Sequence, residues 1–334
     1  MQKPLILIPG LICVSLLALL VSLATGSLPL SWADVVAALL FDGDGLGAGS
    51  IQESIQHNVV WELRLPRAAA AFVVGGLLAL AGTLMQVLLR NPLADPYILG
   101  VSGGAAVAAL LAISAGLGGF WMSGSAFAGA ILSMLLVFGL AHGRGGWSSL
   151  RLLLTGVVVA AGWGAIISFL LATSPDNRLH SMLFWLMGDL ANTSMPHWSF
   201  LVLLLGLAGS LAVARHLNVL SRGDLQARAL GVPVQPLRLG LYFLASLLTA
   251  SAVTLAGTVG FVGLVVPHML RLLGASDHRI LLPGSVLLGG SLLMFSDTLA
   301  RTIIAPQQLP VGVVTALIGV PLYLFILNRG ARNL

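Results

Sequence analysis

The sequence predicts an all-α, polytopic membrane protein of ten transmembrane helices in a single domain, residues 1–334. Three observations lead there. First, 58% of the 334 residues are hydrophobic and only 8% charged, with mean hydropathy +1.02, whereas a soluble domain carries about 25% charged residues. Second, apolar runs long enough to cross a bilayer lie near 5–25, 66–89, 98–117, 120–141, 152–173, 198–214, 239–259, 281–300 and 311–327. A further run, 260–271, is too short to span unless it packs as a half-helix against its neighbours. Third, charge decides whether that run counts. With ten crossings both termini are cytoplasmic. Lys3, Arg90, Arg144, Arg151, Arg215, Arg222, Arg228, Arg238, Arg271, Arg279, Arg329 and Arg332 then fall inside, and only Arg64, Arg67, Arg178 and Arg301 fall outside. Basic residues concentrate on the cytoplasmic side of membrane proteins. Nine crossings would strand Arg329 and Arg332 outside. Ten is the better count.

Composition also excludes functions. Lys3 is the only lysine and no G-x-x-x-x-G-K-[ST] run occurs, so the chain cannot bind ATP through a P-loop. The single cysteine, Cys13, rules out an internal disulfide and a cysteine-built metal site. The pI near 10.3 does not imply nucleic acid, because the basic residues are dispersed among loops. The 40 glycines lie within apolar runs, where small residues let helices approach closely. Residues 1–25 carry an apolar run too long for a signal peptide and no convincing A-x-A site, so they are read as the first span.

Along the chain, 26–63 is expected to be a periplasmic loop, acidic through Asp34, Asp42, Asp44, Glu53 and Glu62. Its tip, DGDGLGAGS, lacks the spacing of a calcium loop and reads as flexible and solvated. Leu80-Ala81-Gly82-Thr83 recurs as Leu255-Ala256-Gly257-Thr258, a faint hint of duplicated halves. Arg90-Asn91-Pro92 ends one span, and Asp95-Pro96 leads to a helix opened by Gly100, Gly103 and Gly104. Residues 174–198 carry Asp176, Arg178, His180, Asp189 and His197, with Trp185 and Trp198 as expected interfacial anchors.

Residues 217–234, LNVLSRGDLQARALGVPV, form the longest polar interruption. Gly223 and Gly231 bracket a helix-compatible run, Asp224–Leu230, with Asp224 placed to cap it and Pro233 forbidding its continuation. Two short helices meeting at a glycine would make a knob on the membrane surface. A basic loop that only sets topology stays open beside it. Pro267 and His268 interrupt the short run, and His268 is expected to be a satisfied structural histidine. Asp297 and Arg301 stand four residues apart and can pair. Pro310 opens the last span.

RLPR (64–67), Q-x-x-x-RNPLADPYILGVSGGAA (86–106), LSRGDLQARALGV (220–232), GTVGFVGLVVPHMLR (257–271), SDTLAR (296–301) and LPVGVVTALIGVP (309–321) resemble the permease subunits of ABC importers for iron chelates and vitamin B12. The resemblance runs in order from about Arg64 to Leu327. It implies a type II importer permease of the bacterial cytoplasmic (inner) membrane, working as a homodimer. Each copy would dock one of two separate ATPase subunits, which bind ATP and magnesium, and a periplasmic binding protein would deliver the chelate. The resemblance implies no catalytic residue, metal site or cofactor in this chain, and no nucleic acid partner beside the membrane lipid. It makes 217–234 a cytoplasmic coupling loop, with Gly223, Asp224, Ala227, Arg228 and Gly231 toward the ATPase. It makes Arg64, Arg67 and Arg301 the residues that hold binding-protein glutamates, an exposed arginine cluster suited to bidentate capture of carboxylates. The gate would be Ser148, Ser149 and Leu150, the last standing where a small polar residue is expected. A ferric siderophore leads as substrate, with haem or cobalamin carried by the same mechanism. A proton-coupled secondary transporter is the distant alternative; it needs ionisable groups at mid-membrane depth, and the span interiors carry no acid.

Overall fold

In the computed structural model, which describes residues 3–26, 30–40, 51–141, 149–191 and 193–330, every regular element is helical. The helices are α1 (Lys3–Ala24), α2 (Trp32–Leu40), α3 (Ile51–Asn58), α4 (Leu65–Leu89), α5 (Val101–Ser114), α6 (Gly119–Ala141), α7 (Ser149–Thr173) and α8 (Asp176–Met187). They continue as α9 (His197–Ala212), α10 (Ala214–Leu220), α11 (Asp224–Ala229), α12 (Val234–Ala256), α13 (Val262–Leu272), α14 (His278–Ala300) and α15 (Val311–Gly330). Among the described residues six helices or continuous helical stretches are long and apolar enough to cross a membrane. The pair α9 and α10 adds a seventh, bent by 62°, and α5, α13 and α15 are shorter apolar helices. Together they match the ten apolar runs one for one.

Helix α4 is the hub. A helix apolar on all sides buries itself among other helices, and 20 of the 25 residues of α4 are buried. It packs against α12, α13, α14 and α1. Small residues permit this. A Cβ added to Gly75 would lie 2.2 Å from the Gly289 carbonyl oxygen of α14, and one added to Gly289 would lie 2.5 Å from that of Gly75. The α5–α6 pair repeats the arrangement through Gly104 and Gly129. Association in lipid depends on such close packing and on interhelical hydrogen bonds, since lipid tails are as apolar as the helix faces. The Thr83 and Ser285 hydroxyls supply one at 2.9 Å between α4 and α14, and Ser15 and Ser291 another at 2.8 Å between α1 and α14.

The run 260–271 is indeed a half-helix. At 11 residues α13 rises about 16 Å, half a bilayer core. It starts from Phe261, a non-glycine residue in the left-handed region (φ 69°).

Three expectations need correction. The segment 26–63 is not a loop throughout. It carries α2, α3 and a π-helical stretch, Val59–Arg64. Val35, Ala38 and Val60 pack with Leu23 and Leu30, and the Trp61 indole donates to the Ala38 carbonyl at 2.7 Å; the apolar face of α2 outweighs its one acid. The glycine-rich tip, 42–50, lies outside the described residues. The repeat is not structural either: Leu80–Thr83 sits mid-helix in α4, whereas Gly257 ends α12 with φ +66°. Finally, Trp185 is no interfacial anchor. It is 8% exposed on α8, while Trp198 is 81% exposed.

Gly75→Ala or Gly289→Ala is expected to force α4 and α14 apart, at about 1–3 kcal/mol. The thermal midpoint of the detergent-solubilised protein reads this. Gly139→Ala, where an added Cβ meets nothing within 4 Å, is the control and should leave the midpoint unchanged or raised.

Candidate functional site

At one end of the bundle α10 and α11 meet at Gly223 and form the knob. Gly223 has φ 122° and ψ 155°, a conformation essentially reserved for glycine. At the other end of α11 the Val232 amide donates to the Ala227 carbonyl and the Gly231 amide to that of Arg228, at 2.9 and 3.0 Å. This is a Schellman closure with Gly231 at φ +77°.

Asp224 does not cap the helix through its side chain; Gly223 holds the cap position. The Asp224 carboxylate instead accepts from Arg238 of α12 at 2.9 Å and faces Arg90 at 3.7 Å. Arg90 is itself held in the left-handed region (φ 50°) where it closes α4. The knob is thus clamped to the ends of two core helices. Ala227 is fully buried, so it packs the knob inward and cannot touch a partner directly. The outward surface belongs to Arg228 and to two residues the sequence analysis passed over, Leu225 (86% exposed) and Leu230 (71%). Leucines on both sides of a single inward alanine in a polar run were the available clue.

At the opposite end of α4, the structure brings Arg64, Arg67 and Arg301 together, but not as an exposed cluster. Asp297, on α14, is the organising charge. Arg67 reaches its carboxylate through Nε (3.0 and 2.9 Å) and Nη2 (2.8 Å), and Arg301 Nε lies 3.6 Å from it. Arg67 Nη1 also donates to Gln308 at 2.8 Å, in the only exposed contact of this set. Arg64 donates to the carbonyls of Leu23 and Ala24 at 2.6 and 3.0 Å, and Arg301 to that of Ser22 at 2.6 Å. These are end-of-helix carbonyls of α1 that lack intrahelical partners and draw cations. Side-chain exposure is 11% for Arg67, 8% for Arg301 and 1% for Asp297. The expectation of exposed guanidiniums gives way to buried ones, because a carboxylate and a helix terminus nearby compete with water for them.

Between these ends three helix breaks converge. The Asp189 amide, just after α8, donates to the Ala256 carbonyl at 2.9 Å, and the Val311 amide at the start of α15 donates to that of Gly188 at 3.0 Å. Thr258 Oγ1 donates to the Leu186 carbonyl. Irregular backbone at membrane depth is tolerated where it lines a cavity or is buried in protein. Here it borders an open groove of about 380 Å³, lined by Leu186, Met187, Thr258, Val313, Ala316 and Leu317 with two glycines. The wall is apolar apart from Thr258. Of the expected gate, Ser148 lies outside the described residues, Ser149 opens α7, and Leu150 is 64% exposed. His268 stacks edge-on against Tyr323, with centroids 6.4 Å apart. Its Nδ1 has no hydrogen-bond partner among the described residues, so it is not the satisfied histidine expected.

A helical membrane protein with broken spans around an apolar groove and a clamped surface knob has the build of a transport permease. The chain belongs to the FecCD transport family, which matches residues 13–329. It is 40% identical over 333 residues to the uncharacterized ABC transporter permease protein YvrB of Bacillus subtilis, covering 95% of this chain and 92% of that one. It is 38% identical over 327 residues to the vitamin B12 import system permease protein BtuC of Yersinia enterocolitica, covering 96% and 92%. A solved metal-chelate type ABC transporter in an inward-facing conformation superposes with TM-score 0.84 at 32% identity, covering 96% of this chain and 98% of that one. This chain is a multi-pass ABC importer permease.

Two outcomes follow from the site geometry. Asp297→Ala leaves two buried guanidiniums without a counter-charge and is expected to cost about 3–5 kcal/mol, measured by thermal unfolding in detergent. Gly231→Val should disrupt the knob while Gly231→Asn is tolerated, because asparagine enters the left-handed region far more easily than a β-branched residue. Co-purification with the ATPase subunit separates the two variants.

Proposed function

We propose that this chain is the permease of an ATP-driven importer that carries a metal chelate from periplasm to cytoplasm across the bacterial inner membrane. Two copies, both termini cytoplasmic, enclose the path, with one ATPase subunit on each knob. The observation that carries this is the knob itself. It is clamped through Asp224 to Arg90 and Arg238, yet it offers Leu225, Arg228 and Leu230 outward, in a chain with no P-loop of its own. Gly223 and Gly231 set its shape, Asp224 and Ala227 anchor it, and Arg228 with the two leucines forms the ATPase contact. Segment 26–63 lies on the periplasmic side.

The apolar groove suits a large chelate that must pass without being held. A second copy facing it would close the open side, and Ser148, Ser149 and Leu150 would form the gate at its cytoplasmic mouth. The relatives named for vitamin B12 import support cobalamin ahead of the ferric siderophore that led on sequence grounds, with haem third. Docking of a binding protein at Arg64, Arg67 and Arg301 is kept with a physical condition. An incoming carboxylate must share Arg67 with Asp297, so docking would exchange one ion pair for another.

The first experiment is uptake of labelled cyanocobalamin, ferric siderophores and haem by cells lacking the gene and by their parent. Loss of cobalamin uptake alone is expected; loss of another probe alone reassigns the substrate, and loss of none sinks the proposal. Uptake abolished by a protonophore with ATP maintained would restore the secondary-transporter alternative. Charge reversal at Arg64 and Arg67 together tests docking. A permease that assembles with its ATPase and loses affinity for the binding protein supports it. One that fails to assemble assigns those arginines an internal role only.

A further inference from the structure

The knob has a second attachment that the coupling residues do not include. Asn218, on α10, reaches the start of α14. Its Nδ2 donates to Asp277 Oδ1 at 2.8 Å. Its Oδ1 accepts from the His278 backbone amide at 2.9 Å and lies 2.6 Å from His278 Nδ1. The orientation is determined by chemistry: an ionised carboxylate only accepts and a backbone amide only donates, so the amide of Asn218 has one arrangement and His278 Nδ1 carries the proton. Asp277 also caps α14 by accepting from the Arg279 amide at 2.9 Å. Those two donors, the Arg279 amide first, hold its carboxyl below the usual carboxylate range. His278 is 4% exposed, so the junction has one buried member, while the Asn218–Asp277 bond lies at its exposed edge.

What α14 connects gives the junction its meaning. Asp277 and Asp297 stand twenty residues apart, about 30 Å along a helix, the thickness of a bilayer core. At the far end Asp297 binds Arg67 of α4. At the near end Arg90, on the other terminus of α4, faces Asp224 of the knob. Gly75 and Gly289 hold the two helices in backbone contact midway. The knob, α4 and α14 therefore form a closed mechanical loop with one polar junction at each corner.

We propose that Asn218 is a positioning residue for coupling, linking movement of the ATPase-bound knob to α14 and through it to the arginine cluster at the opposite face. This rests on the importer function proposed above. An arginine or lysine at the same place could pair with Asp277 but could not accept from His278; an asparagine side chain does both. Asn218→Asp removes the donor and sets two carboxylates against each other. Asn218→Asp with Asp277→Asn restores one donor and one acceptor with their places exchanged, and asparagine serves equally as the helix cap.

The test uses the whole importer, with ATPase subunits and binding protein, in proteoliposomes. Nitroxides on Gln307→Cys in a Cys13→Ser chain report the distance between the two copies just beyond α14, and labelled cyanocobalamin reports transport per ATP. In the parent, ATP is expected to change the distance. Asn218→Asp should keep its ATPase and hydrolyse ATP while the distance change disappears and transport per ATP falls about tenfold, the weight of a lost charged hydrogen bond. The double variant should recover both. Thermal stability, hydrolysis and transport falling in parallel would assign Asn218 a structural role only and overturn the inference. So would an unaltered distance response in Asn218→Asp, or a double variant that stays uncoupled. A parent importer with neither ATP-driven distance change nor transport overturns the proposed function, and this inference falls with it; that failure is distinguishable because it needs no substitution.

Discussion

Backbone contact between α4 and α14 at Gly75 and Gly289 is the constraint on which the rest of the molecule depends. In hydrocarbon, helices gain nothing from hiding apolar faces from lipid, so they hold together by packing and hydrogen bonding. With no side chain between them, these two come close enough for Thr83 and Ser285 to share a hydrogen bond at 2.9 Å. The charges at their ends are then brought into register. Arg67 meets Asp297 only because both helices approach at a fixed height.

Each end of this pair handles charge differently. At the arginine end, Arg67 and Arg301 share one buried carboxylate, and Arg64 and Arg301 donate to the carbonyls closing α1. A buried ion pair of this kind is weak evidence for net stability, since desolvation offsets attraction, but breaking it exposes the full cost of the surviving charge. It therefore specifies geometry more than it adds energy. At the knob end, Asp224 is partly exposed and shared between Arg90 and Arg238. Solvent weakens such pairs, which leaves the knob attached but able to move.

The groove follows from incomplete helices. Because α13 is a half-length helix beginning at a left-handed Phe261, the chain from Gly257 to Phe261 joins α12 to α13 without regular structure. Its polar groups are met by neighbouring segments: Tyr97 Oη donates to the Val259 carbonyl and accepts from its amide, both at 3.1 Å. The opening left beside this segment is lined by small and apolar side chains.

Much of this was legible in the chain. Hydropathy and the sidedness of arginine identified ten apolar segments, including the half-helix at 260–271, because both respond to the bilayer itself rather than to neighbouring residues. Gly223 and Gly231 announced the knob, since their backbone conformations are poorly tolerated by other residues. Contacts between distant positions were not legible. Nothing near Arg67 in sequence indicates that Asp297, 230 residues away, takes its guanidinium, and so an exposed cluster was expected where a buried one exists. Trp185 read as an anchor because its burial is decided by the elements packed around α8. Asn218 drew no notice, being an ordinary polar residue until α14 places Asp277 and His278 against it. The sequence by itself determined which segments enter the membrane and where the backbone must turn, because those depend on local polarity and conformational freedom. Only the tertiary structure decided which charges pair and which face outward, because pairing depends on where separate helices end relative to one another.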